Sequence, residues 1–145
     1  MHVSARSDYA VRAVVELART TDALKCPVIA RNQDIPLKFL VNILGDLRRA
    51  GIVRSRRGAG GGYWLARPAH EVTLGQVLRA IDGPLTTVAG TVPDELVTAP
   101  GGGRLVETWR RLAKVLDEVV DGTTMADVAT DGMPLPTTAP ERGQP

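Results

Sequence analysis

Four glycines occupy five consecutive positions, 58–62, and Ala59 is the one interruption. The run lies between the sequence IV at 52–53 and the sequence YWL at 63–65, and β-branched and aromatic residues of this kind favour strands. Glycine accepts the positive φ angles that tight turns require. The segment therefore predicts a β-hairpin, which constrains the fold because the glycines join two strands rather than a strand and a helix.

Helical periodicity precedes the hairpin. The spacing of small and apolar residues predicts a first helix from about Ser4 to Thr20, and a short second helix around Val28 to Gln33 begins near Pro27. Pro36 is suited to the start of a third helix and Gly51 to its end. The third helix has one apolar stripe at offsets 0, 3, 4 and 7, formed by Leu40, Ile43, Leu44 and Leu47.

The second half of the chain contains two further helical patterns. Thr73 and Gln76 form a capping-box signature for a helix that stops at Asp82. Residues 84–103 are rich in proline, glycine and threonine and are predicted to be a loop or linker. An amphipathic helix is expected at 104–121. The tail, 122–145, has several prolines and few apolar anchors, so we expect disorder there, with at most one short contact from Met125 to Val128.

Charge is distributed unevenly between the two halves. Residues 1–83 contain 13 Lys and Arg against 7 Asp and Glu, a net charge of +6, whereas residues 84–145 contain 5 against 9, a net charge of −4. A basic front half indicates contact with a polyanion.

Composition also excludes several classes of protein. No apolar run approaches the roughly 20 residues of a membrane span, and the polar start of the chain does not resemble a secretion signal. The single cysteine, Cys26, cannot form an internal disulfide or hold a metal alone. We therefore expect a cytoplasmic protein without membrane association.

Two short helices followed by a basic hairpin are the layout of a winged helix-turn-helix domain, predicted here for residues 1–83. In this layout the second helix of the pair enters the major groove of DNA and the hairpin lies along the backbone or the minor groove. The predicted fold is thus mostly α-helical with one small hairpin. The predicted DNA-binding residues are Lys38, Val41, Asn42, Arg48, Arg49, Arg54, Arg56, Arg57, Gly60, Gly61 and Tyr63.

Other functions compete with DNA binding as interpretations of this sequence. A nucleotide-binding enzyme would need a lysine followed by serine or threonine after its glycines, or a helix after them, and this chain has neither. It also has no catalytic triad or paired carboxylates, so we predict no enzymatic activity. A winged helix that only binds proteins stays an alternative, since charged outer faces are often merely solvated. The basic residues of the hairpin, Arg54, Arg56 and Arg57, favour DNA.

The sequence resembles the Rrf2 family of bacterial transcription regulators, which includes IscR, NsrR and CymR. The resemblance is carried by SARSDYAVRA at 4–13, by IARNQDIPLKFLVNILGDLRRAGIVRSRRGAGGGYWLARP at 29–68, and by EVTLGQVLRAIDGPL at 71–85. It covers about residues 1–85, and the wing motif R-G-x-x-G-G-Y-x-L is its most specific part. The amphipathic helix at 104–121 matches the dimerisation helix of the family by pattern alone.

The resemblance implies a homodimeric regulator, predicted to be a repressor, that binds a roughly palindromic operator in double-stranded DNA. It implies that Lys38, Val41 and Asn42 read bases and that Arg57 enters the minor groove. Some members have a glutamate where this chain has Val41, so the operator is expected to differ. The predicted dimerisation residues are Leu105, Trp109, Leu112, Leu116 and Val119.

Many members of the family hold an iron–sulfur cluster through three cysteines in the loop that corresponds to residues 84–103. That loop contains no cysteine here, so we predict no metal, no cluster and no cofactor. Cys26 is expected to be an inert thiol, with redox sensing as the alternative. Regulation by a small molecule or a partner protein, or constitutive activity, stays open at this point.

Overall fold

The structure is a computed structural model that describes residues 1–130. Its elements are α1 (Ala5–Ala18), α2 (Cys26–Gln33), α3 (Leu37–Arg49), β1 (Val53–Arg56), β2 (Gly62–Leu65), α4 (Leu74–Asp82), α5 (Gly103–Gly122) and α6 (Met125–Ala129). Short 3-10 turns occur at Ala69–Glu71 and Pro93–Glu95. Within the described residues the strands form one antiparallel pair. A mostly helical chain with a small hairpin confirms the predicted fold class.

The start of α1 is tied to the end of α4 through serine hydroxyls. Ser4 caps α1 by accepting a hydrogen bond from the backbone N–H of Ser7 at 3.0 Å. The hydroxyls of Ser4 and Ser7 donate to the carboxylate of Asp82 at 2.7 and 2.6 Å. Desolvation alone would raise the pKa of Asp82, but these hydrogen bonds outweigh it and the pKa lies below its ordinary value. The buried hydroxyl of Ser7 therefore has a hydrogen-bond partner.

Two prolines shape the helix pair. Pro27 lies in the first turn of α2, and Pro36 is the N-cap residue of α3. Between them Asp34 ends α2 with a left-handed φ of 52°. The second helix begins at Cys26, two residues earlier than predicted, so Cys26 lies in its first turn rather than before it. The earlier start reflects Lys25, whose carbonyl accepts the first helical hydrogen bonds.

The core lies where α1, α3 and α4 meet. The predicted stripe of α3 is fully buried, as are the small and apolar residues on the facing side of α1. These residues are Leu40, Ile43, Leu44 and Leu47 of α3 with Ala10, Ala13 and Val14 of α1. Alanines on α1 allow the two helices to approach closely. The opposite side of α3 is exposed to solvent.

The hairpin pairs Val53 with Leu65 at its base and Arg56 with Gly62 at its tip. A third segment joins it, because the backbone of Leu24 exchanges two hydrogen bonds with Tyr63, at 2.9 and 2.7 Å. The connection between α1 and α2 therefore fixes the hairpin against the helix pair.

Helices α4 and α5 make a close crossing. The guanidinium of Arg79 bonds to the carboxylates of Asp117 at 2.6 Å and Asp121 at 2.7 Å. A Cβ at Gly75 would collide with the carboxylate of Asp121 and lie 2.7 Å from Nη1 of Arg79, so a larger residue there would displace this ion pair. The hydrogen bonds from Asp121 and Asp117 hold the pKa of Arg79 above its ordinary value despite desolvation.

The disorder predicted from residue 122 is wrong for residues 122–130, and the rest of the predicted tail lies outside the described residues. Thr124 and Asp127 form a capping box that starts α6. The prediction of disorder was based on the prolines farther along the tail and did not take this capping box into account. Met125 is fully buried, and its backbone N–H donates to the carbonyl of Val72 at 2.7 Å. The segment therefore completes the core beside α1.

Replacing Met125 with alanine tests this docking. Because the side chain is fully buried, we expect a loss of about 2–5 kcal/mol in the free energy of unfolding, measured by urea denaturation. Val97→Ala is the control, since Val97 is 91% exposed and its change should cost under about 0.5 kcal/mol. Equal stabilities of the two variants would contradict the assignment.

Candidate nucleic-acid interface

The outer face of α3 carries the residues predicted to read bases. Lys38, Val41 and Asn42 are all exposed, opposite the buried stripe, and Val41 is 50% accessible. Two apolar neighbours absent from the sequence prediction, Leu37 and Phe39, are also about half exposed. The ammonium of Lys38 lies 5.1 Å from the centre of the Phe39 ring, within cation–π range. This end of α3 thus offers both apolar and polar groups to a partner.

The hairpin presents its arginines outward. Arg54 and Arg56 lie two residues apart on β1 and are exposed, as is Arg57 at the beginning of the tip. One guanidinium nitrogen of Arg56 lies 3.4 Å from the carbonyl of Gly60 across the tip. Within residues 1–130 the side chains of Arg54 and Arg57 have no hydrogen-bond or ion-pair partner. Their donors are available to a ligand.

Helix α3 and the hairpin are joined by a side-chain contact. Nη1 of Arg48, in the last turn of α3, lies 3.3 Å from Oγ of Ser55 in β1. The sequence predicts Arg48 as a DNA contact, and the structure also gives it this bridging position. The contact holds the end of α3 beside β1. The exposed residues Arg48 and Arg49 of α3 and Arg54 and Arg56 of β1 therefore lie on neighbouring elements, and we call this region the basic surface.

The tip glycines differ from one another. Gly61 is buried, and a Cβ there would lie 2.1 Å from the carbonyl oxygen of Arg56; at Gly62, where φ is +141°, it would lie 2.7 Å from the backbone of Leu24. Gly60 is exposed with nothing within 4 Å. Of the predicted contacts, then, Gly60 lies on the surface, whereas Gly61 serves the turn and Tyr63 packs half-buried against the core.

Lys25 supports the hairpin, a role that the sequence did not predict. Its Nζ donates to the carbonyl of Gly58 at 2.8 Å, which holds the hairpin tip against the start of α2. Together with the pairing of Leu24 and Tyr63, this contact fixes the tip relative to the helix pair. No local pattern signals it, because 33 residues separate the two partners.

An acidic residue lies on the basic surface. The carboxylate of Asp46 pairs with Arg49 in the same helix and with Nη2 of Arg6, in α1, at 2.6 Å. Desolvation opposes its ionisation, but the hydrogen bonds from Arg6 and Arg49 outweigh it, so the pKa of Asp46 lies below its usual range. Arg49, predicted to contact DNA, is thus held by Asp46, and Arg6 joins the surface from a different helix.

A second exposed surface lies on α5. Leu105, Leu112 and Val119 are 57%, 54% and 50% exposed, and Val115, which was not among the predicted residues, is 59% exposed. Trp109 and Leu116 are half-buried. The five predicted residues recur at intervals of four and three, the spacing of a coiled-coil seam. An apolar stripe of this size on one helix is typical of a protein interface.

Cys26 shows the features of an unreactive thiol. The side chain is half-buried in the first turn of α2, and burial raises the pKa of the thiol. A protonated thiol is a poor nucleophile and a poor metal ligand.

These features define a winged helix-turn-helix transcription regulator: a helix pair, a hairpin held against it, and an outer surface rich in arginine. The chain belongs to the Rrf2 family, whose profile, described as "Iron-dependent Transcriptional regulator", matches residues 3–131. The suspected family is thereby confirmed, and with it the prediction that the protein is not an enzyme.

Relatives and solved structures agree with this assignment. Rv1287 of Mycobacterium tuberculosis strain H37Rv, a protein classed with the HTH-type transcriptional regulators, is 43% identical over 92% of this chain and 84% of its own length. The structure of CymR, the global cysteine regulator of Bacillus subtilis, superposes with a TM-score of 0.76 at 30% identity, over 90% of this chain and 99% of that one. T. potens IscR gives a TM-score of 0.71 at 29% identity, over 92% and 89%.

The description of the family refers to iron, and the donor groups of this chain can be tested against it. Across residues 1–130 no three His, Cys, Asp or Glu side chains lie together as a metal site. Iron–sulfur clusters are held by several thiolates, and this chain contains one cysteine. The residues present do not fit such a cluster.

In the described part of the chain, no helix has the length and apolarity to cross a membrane.

Alanine substitutions at adjacent glycines test the geometry of the hairpin tip. Gly61→Ala brings a methyl group against the Arg56 carbonyl, so we expect a loss of about 1–3 kcal/mol in unfolding free energy. Gly60→Ala adds the same group in open space and should change it by less than about 0.5 kcal/mol. Urea denaturation measures both, and a tolerated Gly61→Ala would show that the tip is built differently.

Proposed function

We propose that this protein is a homodimer that binds a roughly palindromic operator in double-stranded DNA and represses the genes beside it. The observation that carries the proposal is the basic surface, in which the exposed end of α3 and the exposed arginines of the hairpin lie on neighbouring elements that the contact between Arg48 and Ser55 at 3.3 Å holds together. The major groove accepts a helix, and basic side chains beside it neutralise phosphates.

The residues divide into two roles on this surface. Lys38, Val41 and Asn42 face the edges of base pairs, where an asparagine amide can pair with adenine and an apolar side chain can contact a thymine methyl group. Arg54, Arg56 and Arg57 contact phosphates, and Arg57 reaches the minor groove. An apolar residue at position 41 cannot accept a hydrogen bond from cytosine as a glutamate can, which supports an operator different from that of members with glutamate.

Dimerisation is supported by the stripe on α5. The opposite side of that helix packs on its own protomer through Val120, which is buried, and through the pairing of Asp117 and Asp121 with Arg79. The apolar stripe that contains Leu112 is exposed to solvent in the single chain. Two copies related by a two-fold axis would cover it and would present two recognition helices to a palindrome.

An effector, either a small molecule or a protein, would bind in a groove of the same chain. An open groove of about 970 Å³ lies between α4, the loop that follows it and α5, and it is lined by Arg79, Leu85, Val92 and Arg110 among others. Arg110 donates to the carbonyl of Pro93 at 3.2 Å, so the loop and α5 are in contact there. A ligand in this groove would act on the crossing of α4 and α5.

A salt titration separates DNA binding from the alternative of a winged helix that binds only proteins. The full-length protein should bind a random duplex, and its affinity should fall steeply between about 50 and about 200 mM salt as counterions are released. Fluorescence anisotropy measures this. An absence of salt-dependent binding would favour the alternative.

Replacing Arg57 with alanine tests the role of the hairpin. Removal of one arginine contact should weaken operator binding by about 1–3 kcal/mol, measured by anisotropy on the operator found by genomic footprinting. Arg104→Ala, which removes an exposed arginine at the start of α5, should leave affinity nearly unchanged. Equal affinities for the Arg57 variant and wild type would refute the assignment.

Replacing Leu112 with glutamate tests the dimer. A charge on the apolar stripe would be buried without a partner, so the variant should sediment as a monomer at concentrations where wild type is dimeric. Arg111→Gln changes the charge of the adjacent residue by the same amount and should leave the dimer intact. A dimeric Leu112→Glu variant would place the interface elsewhere.

A further inference from the structure

The cluster of Asp46 with Arg6 and Arg49 uses both carboxylate oxygens. Oδ2 accepts from Nη2 of Arg6 at 2.6 Å, and Oδ1 accepts from Nη2 of Arg49. Asp46 is one turn beyond Asn42 on α3, and Arg6 reaches it from the first turn of α1. Two guanidinium groups from different helices are therefore held side by side at the edge of the recognition helix.

The two arginines of this cluster keep N–H donors that Asp46 does not use. The side chains of Arg6 and Arg49 are 47% and 69% exposed, whereas that of Asp46 is 25% exposed. An arginine has five N–H donors, and each contact with Asp46 uses one nitrogen. The group carries a net charge of +1, with the positive ends outward and the carboxylate beneath them.

The guanidinium of Arg49 lies at van der Waals distance from the position of Gly45. A Cβ at Gly45 would lie 3.5 Å from Nη1 of Arg49, so the guanidinium of Arg49 lies directly over this position. The side chain is folded back along α3 over Gly45 and Asp46, and 69% of it stays exposed. An arginine that is only solvated would have no need of a partner that holds it in this place.

A purely stabilising role is a weak explanation. Ion pairs between exposed side chains contribute little to folding. A carboxylate on a surface that binds a polyanion also opposes binding by charge alone, so its presence there calls for a compensating role.

We propose that Asp46 is a positioning residue that presents Arg6 and Arg49 together to one backbone phosphate at the margin of the major groove. The proposal rests on the DNA-binding function argued above. Phosphate oxygens accept paired N–H donors from guanidinium groups, and two arginines already fixed in place lose less conformational freedom on binding. Arg6 and Asp46 thereby become part of the interface.

The experiment measures duplex affinity against salt concentration for full-length variants. Arg6→Gln and Arg49→Gln should each lower the slope of log affinity against log salt by about 0.9 for each phosphate that the variant no longer neutralises. Arg49→Lys should retain most of the slope but bind several-fold more weakly, since lysine keeps the charge and lacks the paired donors. Arg104→Gln is the matched control and should leave the slope unchanged.

A double-mutant cycle tests positioning itself. In wild type, Arg49→Gln should weaken binding about tenfold; in the Asp46→Asn background, the same change should weaken it less than about threefold. Asp22→Asn, at an exposed carboxylate in the turn after α1, is the control background and should preserve the tenfold effect. Thermal denaturation confirms that each variant is folded.

The outcomes are distinct. Wild-type protein that fails to bind any duplex overturns the proposed function and this inference with it. Wild-type binding with unchanged slopes for both glutamine variants overturns the inference alone, as does an Arg49→Gln effect that is the same in both backgrounds. Reduced slopes together with the smaller effect in Asp46→Asn support it.

Discussion

The buried stripe of α3 is the constraint on which the rest of the structure depends. Leu40, Ile43, Leu44 and Leu47 are completely removed from solvent, and each side chain of this size contributes about 1.5–3 kcal/mol when fully buried. Their packing against α1 fixes the rotation of α3 about its own axis. That rotation alone decides that Lys38, Val41 and Asn42 point outward together.

The hairpin depends on contacts outside itself. A two-stranded hairpin is marginally stable in isolation, and here the backbone of Leu24 extends its hydrogen bonding while Lys25 holds the tip at Gly58. Gly62 allows the close approach of Leu24, and Gly61 allows the tight turn of the tip against the backbone of Arg56. The arginines of the hairpin are therefore presented from a hairpin that other segments of the chain support.

The crossing of α4 and α5 links the two exposed surfaces. Arg79 is bound to carboxylates of α5, and Gly75 lets the two helices touch. The position of the α5 stripe relative to α3 is set by this crossing. In the proposed dimer it would determine the distance between two recognition helices, and a ligand in the adjacent groove would act on that distance. This chain has one cysteine, so it lacks the thiolates that an iron–sulfur cluster needs.

Local signals accounted for the elements that were predicted correctly. The apolar stripe of α3, the cap at Ser4, the capping box at Thr73 and the glycine run each lie within a few residues of sequence, where periodicity and turn chemistry act. The same logic extends to α6, since Thr124 and Asp127 carry a capping signature. The prediction of disorder there was wrong because the proline content of the whole tail does not describe its first nine residues.

What the sequence by itself determined is the order of helices and strands as far as α5 and the side of α3 that is apolar. Only the tertiary structure decided which polar groups meet: Lys25 with Gly58, Arg6 with Asp46, and Arg79 with Asp121. These partners are 33, 40 and 42 residues apart. The physical reason is that periodicity records how a segment faces the core, whereas a polar contact between distant segments depends on how whole elements are docked, which is settled only when the core has packed.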